Sequence, residues 1–522
     1  MSRIDRIAIL LCLCSMIAYA VIANQVFENI PHLEDEYTLV WQAKAAARGQ
    51  MLVPTPPSHD SFLVPFVIDA GGYRFGKYPP GFPVLLSFGI RLGGRDWVNP
   101  FIAACSLWLI YRLAKRLLDE RTALVAAFLT ATSPFFVVNA ANLLTHVWSL
   151  FLTVSFTLAW LETFHFQSKV PRWLTVAVAG GSLGVLALTR PWTAVGVAIP
   201  FALHGLYLLW KGGPPVRRWL FGVGALAGSI ASLHFLWQFT LTGSPWTNPY
   251  TLWWPFDALG LGPGIGVRAE GHTLRAGLSD ALHSLNLGTH DFLGWPWLSW
   301  LFLPFGLLAA RRNWPVWLLV SVFLALVLVY MLYWVPAWVF GPRYYFEALH
   351  AWTIVSAAGI SWIARQVVRF RRTLSRAMGQ ASGSDRPRTR LRLVSVLIPR
   401  LPAFIFALVL ALLITGNLLF YLPDRLNALK RLYDTDSSLF VNFQTPQAIA
   451  RTPALVIVHA HGNWRKYGAF LELFDPFLDS PFIFALSINK IVDESLASDF
   501  PDRQVIHYYP ERPDQFFLKP LE

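Results

Sequence analysis

Residues 7–48 read IAILLCLCSMIAYAVIANQVFENIPHLEDEYTLVWQAKAAAR. An apolar run long enough to cross a bilayer is followed at once by three carboxylates, Glu34, Asp35 and Glu36. Behind them, Tyr37, Val40, Trp41, Ala45 and Arg48 recur at near-helical spacing. This pattern predicts a first span, an acidic turn at the membrane surface, and an interfacial helix over 37–48. Three adjacent acids at that place need a reason, and the rest of the chain is read outward from them.

The 522 residues are 55% hydrophobic, 15% aromatic and 14% charged, with a mean hydropathy of +0.46. That composition is a polytopic α-helical membrane protein and excludes a soluble enzyme. Met1–Arg6 plus an apolar run imitates a signal peptide, but no small-residue cleavage site precedes the acids, so the run reads as a retained span. Runs of spanning length predict about eleven transmembrane helices, at 7–26, 98–116, 122–139, 145–164, 173–190, 191–210, 219–241, 295–310, 314–334, 346–364 and 401–422. The run Gly81–Leu92 is too short to cross and is expected to lie in the interface or re-enter.

Charge sets the orientation. Arg3 and Arg6 place the N-terminus in the cytoplasm, and the turnarounds carrying Lys115 and Arg116, Lys169 and Arg172, Lys211 and Arg217, and Arg311 and Arg312 then face inward as well. The loop 365–400 is Arg-rich, reads as disordered, and favours anionic lipid heads. The formal net charge of +13 is therefore a topology signal. With the cations spread over inward loops and no interleaved aromatic platform, nucleic acid is excluded as a partner.

The first outer loop (27–97), a Trp-, Pro- and Gly-rich second outer loop (242–294) and the tail then lie on the far side, within a membrane domain of residues 1–424 followed by 425–522. The tail runs 454–460, 482–487 and 504–509 are short and β-rich, separated by potentially helical sequence, and predict a small α/β extracytoplasmic domain. Cys12, Cys14 and Cys105 all sit in apolar runs and form neither a disulfide framework nor a zinc spacing.

Candidate chemistry collects at span ends on the outer side. Asp35 and Glu36 are candidate acid–base groups; Lys77, Arg190, Arg343 and Tyr345 are candidates to hold a phosphate; His146, Trp253 and Trp254 are candidate substrate contacts. A carboxylate can take the proton of an acceptor hydroxyl while cations receive the charge that develops on a departing phosphate. Each has a plainer alternative. The acids can cap the following helix, Lys77 and Arg343 can snorkel to lipid heads, and His146 can be a packing residue. The tryptophans, Trp246 included, can anchor a loop at the interface instead of stacking on sugar faces. His272, His290 and Asp291 are candidates for a divalent cation, although without tight ligand spacing, so no metal ligand set is assigned.

The segments LEDEYTLVWQAKAAARGQ (33–50), KYPPGFPVLLSFG (77–89), YRLAKRLLDERTALVAAFLTATSPFF (111–136), LTRP (188–191) and GPRYYFEALHAW (341–352) together resemble the GT-C glycosyltransferases. The texture is that of bacterial relatives of the protein O-mannosyltransferases and of the lipid A aminoarabinose transferases, over residues 1–365. The resemblance implies a polyprenyl-phosphate-linked sugar donor and transfer with inversion on the non-cytoplasmic face of the inner membrane. It also implies an envelope lipid, polysaccharide or protein as acceptor. Asp35 corresponds to the family's catalytic acid and Glu36 to its neighbour. Lys77 corresponds to the lysine of a Lys-Pro-Pro element that is interrupted here by Tyr78, and Arg343 to a late Gly-Pro-Arg-Tyr element. Two other functions fit a polytopic chain: a transporter or flippase of lipid-linked sugars, and a non-catalytic envelope scaffold. Transporters hold ionisable groups at mid-membrane in related halves, whereas these cluster at span ends.

Overall fold

The computed structural model describes residues 1–167, 169–381, 401–461 and 463–521. Arg386, Arg388, Arg390 and Arg392 of the basic loop lie outside the described residues. The part of that loop up to residue 381 continues the helix α15, and is not an irregular segment.

Helix α1 (Arg3–Val26) starts with a capping box, in which Asp5 N donates to Ser2 Oγ and Ser2 N to Asp5 Oδ2. Ala8, Cys12, Ser15, Tyr19 and Ala23 bury one stripe, while Leu10, Leu13, Ile17 and Val21 are exposed on the other faces. A helix apolar all round but packed on one side only has its remaining faces toward lipid. The same holds for α9 (Pro191–Lys211), which exposes Leu203, Leu206 and Trp210, and for the last apolar helix (Leu401–Gly416), which exposes Phe404, Leu408 and Leu412.

Between them, α2 is Glu34–Ala47, α3 Gly81–Arg91, α4 Val98–Leu117, α5 Glu120–Thr132, α6 Pro134–Ala141, α7 His146–Phe164 and α8 Arg172–Ala187. After α9 come α10 (Pro214–Thr242), α11 (Pro249–Trp253), α12 (Leu274–Asp291), α13 (Leu303–Ala309), α14 (Trp314–Tyr330) and α15 (Leu349–Ala381).

Among the described residues six helices are long and apolar enough to cross a membrane, seven if α5 and α6 form one span bent by 59°. The bend sits at Ser133-Pro134, where proline ends the α5 ladder and Ser133 Oγ accepts from Phe136 N to start α6. The predicted spans 173–190 and 314–334 are the shorter apolar helices α8 and α14. The predicted span 295–310 is a series of turns ending in the seven-residue α13, because Pro296 and Pro304 interrupt a continuous helical ladder. At 346–364 the chain enters through a 3₁₀ turn, Arg343–Ala348, before α15.

Helix α2 departs from the expected interfacial helix. Leu39, Val40 and Ala43 pack with Phe82 and Leu86 of α3 and with Leu143, while Tyr37, Trp41 and Ala45 share a core with the tail. Both stripes are apolar, so both are covered. The tail cover is a three-stranded parallel sheet in the order β5-β4-β6, with β4 Ala454–Val458, β5 Phe482–Leu486 and β6 Gln504–Tyr508. All five residues of central β4 are buried, as expected for a parallel strand covered on both faces. Lys44 Nζ donates to Glu472 O (2.5 Å) and Phe474 O (2.9 Å), and Arg48 meets Asp475 at 2.7 Å, so the far end of α2 holds the tail.

The first outer loop also contains an antiparallel sheet, β1-β3-β2, with β1 Val53–Pro54, β2 Val67–Ala70 and β3 Tyr73–Gly76. Gly71 and Gly72, at φ 62° and 82°, form the two-residue turn between β2 and β3. The strand β3 delivers the chain to Lys77 and α3. Gly81 N donates to Leu188 O at 2.8 Å, and a Cβ at position 81 would stand 2.3 Å from Thr189 Oγ1. That close approach fastens the 77–80 connection beside Arg190.

Candidate active site

The ends of α8, α10 and α14 and the starts of α2, α7 and α9 meet around a cavity of ≈ 730 Å³. Its wall includes Asp35, Lys77, His146, Arg190, Arg343 and Trp254, six of the nine side chains singled out in the sequence. They come from six separate stretches of chain.

Asp35 stands in the first turn of α2, where the helix N-terminus favours a carboxylate. Arg343 Nη1 donates to its Oδ2 at 3.1 Å, and the Tyr78 hydroxyl donates to its Oδ1. Burial pushes the Asp35 pKa up, but Arg343, the Tyr78 hydroxyl and Lys77 outweigh it and hold the carboxyl below its usual range. Tyr78, the residue that interrupts the Lys-Pro-Pro element, is thus a direct partner of Asp35. Gln42 Nε2 of α2 donates to Tyr78 O at 2.8 Å and fixes the same loop.

Lys77 is 3% exposed and its Nζ lies 3.1 Å from Asp257 Oδ2. Its ammonium also lies 3.8 Å from the Phe66 ring centroid and 5.1 Å from that of Trp254. Burial lowers its pKa against the pull of Asp257 and Asp35. Asp257 further accepts from Tyr333 Oη (3.0 Å) and Trp334 Nε1 (3.2 Å). Arg190, at the head of α9, donates from Nη1 to Glu347 Oε1 (3.0 Å) and from Nη2 to Tyr330 Oη (3.1 Å), and it contacts His146 Nδ1. The cavity therefore holds three cation–carboxylate pairs, each with its cation on the wall.

Three of the candidate residues stand elsewhere. Glu36 is 1% exposed and does not reach the cavity. Its Oε2 accepts from His32 N (2.9 Å) and Leu33 N (3.0 Å), and its Oε1 from Leu143 N (2.7 Å). One residue on from Asp35 along a helix is a turn of about 100°, so Glu36 faces the 142–144 turn. Burial raises its pKa, opposed by the nearby His32 and by these backbone donors. It holds the head of α2 and faces away from the cavity. Tyr345 is buried with its ring against Phe323; the 3₁₀ turn points its neighbour Tyr344 into the cavity, stacked 4.5 Å from Tyr330. Trp253 packs with Ile68, Phe75 and Trp237 behind the wall, leaving Trp254 to face the cavity.

The cation candidates are occupied by other chemistry. Asp291 accepts from Tyr421 Oη (2.7 Å) and Arg425 Nε (3.2 Å), His272 Nε2 lies 3.0 Å from Met331 O, and His290 packs on Trp297. Among the described residues no three His, Cys, Asp or Glu side chains form a metal-binding group.

Asp257 was not singled out from the sequence, whereas Glu347 stands in the sequence among the charged groups at span ends, beside Arg343. Both are lone acids inside apolar, aromatic segments, WWPFDALG and RYYFEALH. A buried charge demands a partner, and that isolation is the signal that would have found Asp257.

Residues 77–237 match the family model described as dolichyl-phosphate-mannose-protein mannosyltransferase. A search of curated protein sequences finds no significant match. Among solved structures, ArnT from Cupriavidus metallidurans bound to undecaprenyl phosphate aligns at a TM-score of 0.58 and 14% identity, over 95% of this chain and 89% of that one. The same protein in its apo state aligns at 0.56 and 14%, over 95% and 88%. At this identity the likeness is one of fold. The family match over residues 77–237 and that shared fold both bear out the resemblance to the GT-C glycosyltransferases read in the sequence.

Proposed function

We propose that this enzyme moves a sugar from a polyprenyl-phosphate-linked donor to an acceptor hydroxyl, with inversion, on the non-cytoplasmic side of the inner membrane. The observation that supports it most is the Asp35–Arg343 pair in a cavity that also presents Lys77 and Arg190. The acceptor oxygen attacks the anomeric carbon opposite the phosphate. The sugar–phosphate C–O bond breaks with its electron pair on the phosphate oxygen, and Asp35 takes the acceptor proton. Lys77, Arg190 and Arg343 are the groups that hold the lipid phosphate, and its charge competes with Asp35 for Arg343. As that competition loosens the ion pair, Asp35 becomes a stronger base at the moment donor is bound.

The same geometry supports this orientation. The cavity sits at the helix ends opposite those carrying Lys115, Arg116, Arg172 and Lys211, which the positive-inside rule assigns to the cytoplasm. That ENDS-on-one-side arrangement also disfavours the transporter reading, in which ionisable groups stand at mid-membrane. ArnT is a fold relative solved with undecaprenyl phosphate bound, which fits a polyprenyl phosphate donor. The test is Asp35→Asn in purified, full-length protein supplied with polyprenyl-phosphate sugars. Transfer should fall by about 10²- to 10⁴-fold, the usual yield of general-base catalysis, with folding intact; near-normal transfer removes Asp35 from the mechanism.

A further inference from the structure

The cavity has a wall that the transfer step leaves unused. Tyr433, Thr435, Arg465 and Gly468, all from the tail, line it, close enough to Glu34 for Arg465 to act on that carboxylate's charge. Four Lys or Arg side chains line the cavity. Lys77, Arg190 and Arg343 each hold a carboxylate; Arg465 makes no ion pair among the described residues, and its guanidinium lies 5.1 Å from the Tyr433 ring centroid. Glu34 is likewise without an ion pair among the described residues.

Arg465 is held in place from behind. Two residues on, Tyr467 is fully buried and donates to Phe484 O of β5 at 3.3 Å. Arg95 reaches Glu472 at 2.9 Å, and Lys44 and Arg48 of α2 hold the chain from 472 to 479. The same helix thus presents Glu34 and Asp35 at one end and fastens the support of Arg465 at the other.

We propose that Arg465, backed by Tyr433, binds the acceptor, and that the acceptor carries an anionic substituent, a phosphate or a carboxylate, near the hydroxyl that is glycosylated. A guanidinium on an aromatic face, with no carboxylate of its own, is suited to such a group. Glu34 beside Asp35 repels a second anion from the base, so the neutral hydroxyl goes to Asp35 and the anionic group to Arg465. This assignment rests on the transfer reading of Asp35.

The full chain in detergent is titrated with three probes: methyl glucoside 6-phosphate, methyl glucuronide and methyl glucoside. At least one anionic probe should bind about tenfold more tightly than the neutral one, the size of a single charge-assisted contact; which of the two does so tells phosphate from carboxylate. Arg465→Ala should abolish that preference, and Glu34→Gln, which removes the repelling charge, should enlarge it. Equal binding of all three probes, or a preference that survives Arg465→Ala, overturns the assignment. Hydrolysis of the lipid-linked sugar by the unaltered chain and by Asp35→Asn is read separately. An anionic preference without Asp35-dependent hydrolysis would retain the binding site and discard the transfer reading; the converse would do the opposite.

Discussion

At the head of α2, Asp35 on the wall facing the cavity and Glu36 on the wall facing the 142–144 turn are satisfied by different chemistry. Asp35 is paired with Arg343 and a phenol beside open volume. Glu36 is enclosed and accepts three backbone N–H groups. An ion pair beside open space can exchange partners when a charged ligand arrives, whereas three backbone donors have nowhere else to go. The first arrangement suits chemistry; the second fixes the loop that brings His146 and Asp35 together.

The largest effect expected on this contrast is the loss of transfer in Asp35→Asn. Next comes Lys77→Met, which strands Asp257 as an unpaired buried charge and should cost about 3–5 kcal/mol of stability. The double variant Lys77→Met/Asp257→Asn should recover most of that stability, read by thermal unfolding, without recovering donor binding. Recovery of both would mean that the pair is structural only.

On the other wall, Glu36→Ala leaves His32, Leu33 and Leu143 N–H groups stranded and should cost about 3 kcal/mol, the lower end for three such donors. A loss of transfer with unchanged stability would instead place Glu36 in the chemistry. Smaller still is a shift in pH dependence. Because Arg343 holds the Asp35 pKa down, the carboxylate stays ionised as pH falls through the ordinary aspartate value of about 4. The acid limb of kcat/KM should therefore lie below that value, and Arg343→Met should move it upward. The stability that Asp35 contributes through its depressed pKa is likewise present above the ordinary value and lost as pH falls through the folded one. An acid limb that stays in place in Arg343→Met would separate Asp35 from the rate. The smallest effect belongs to Arg48→Ala at the far end of α2: its pairs with Asp475 and Asp479 are half exposed and should contribute less than about 1 kcal/mol to unfolding.

Membrane class, the short apolar α3, the acidic turn and the cations at span ends were legible in the chain because each is a property of composition, run length or position. The acid next to Asp35 was legible only as a carboxylate. Sequence adjacency made Glu36 resemble a second catalytic group, and only the direction of its side chain separates the two. Tyr345 and Trp253 stand off the cavity wall in the same way, each lying one position from a residue that does face the cavity, Tyr344 and Trp254. The turns at 295–302 were masked by an apolar composition that turns rich in Trp and Pro share with a span.

By itself the sequence determined a chain of apolar helices with its outer polar groups gathered on one side, since solvent-transfer energies act residue by residue. Tertiary structure alone decided which charges face one another. Asp257 lies 180 positions from Lys77, and Arg343 lies 308 from Asp35. Burial makes such pairing compulsory, but which partner is reached depends on how helices far apart in the chain pack together.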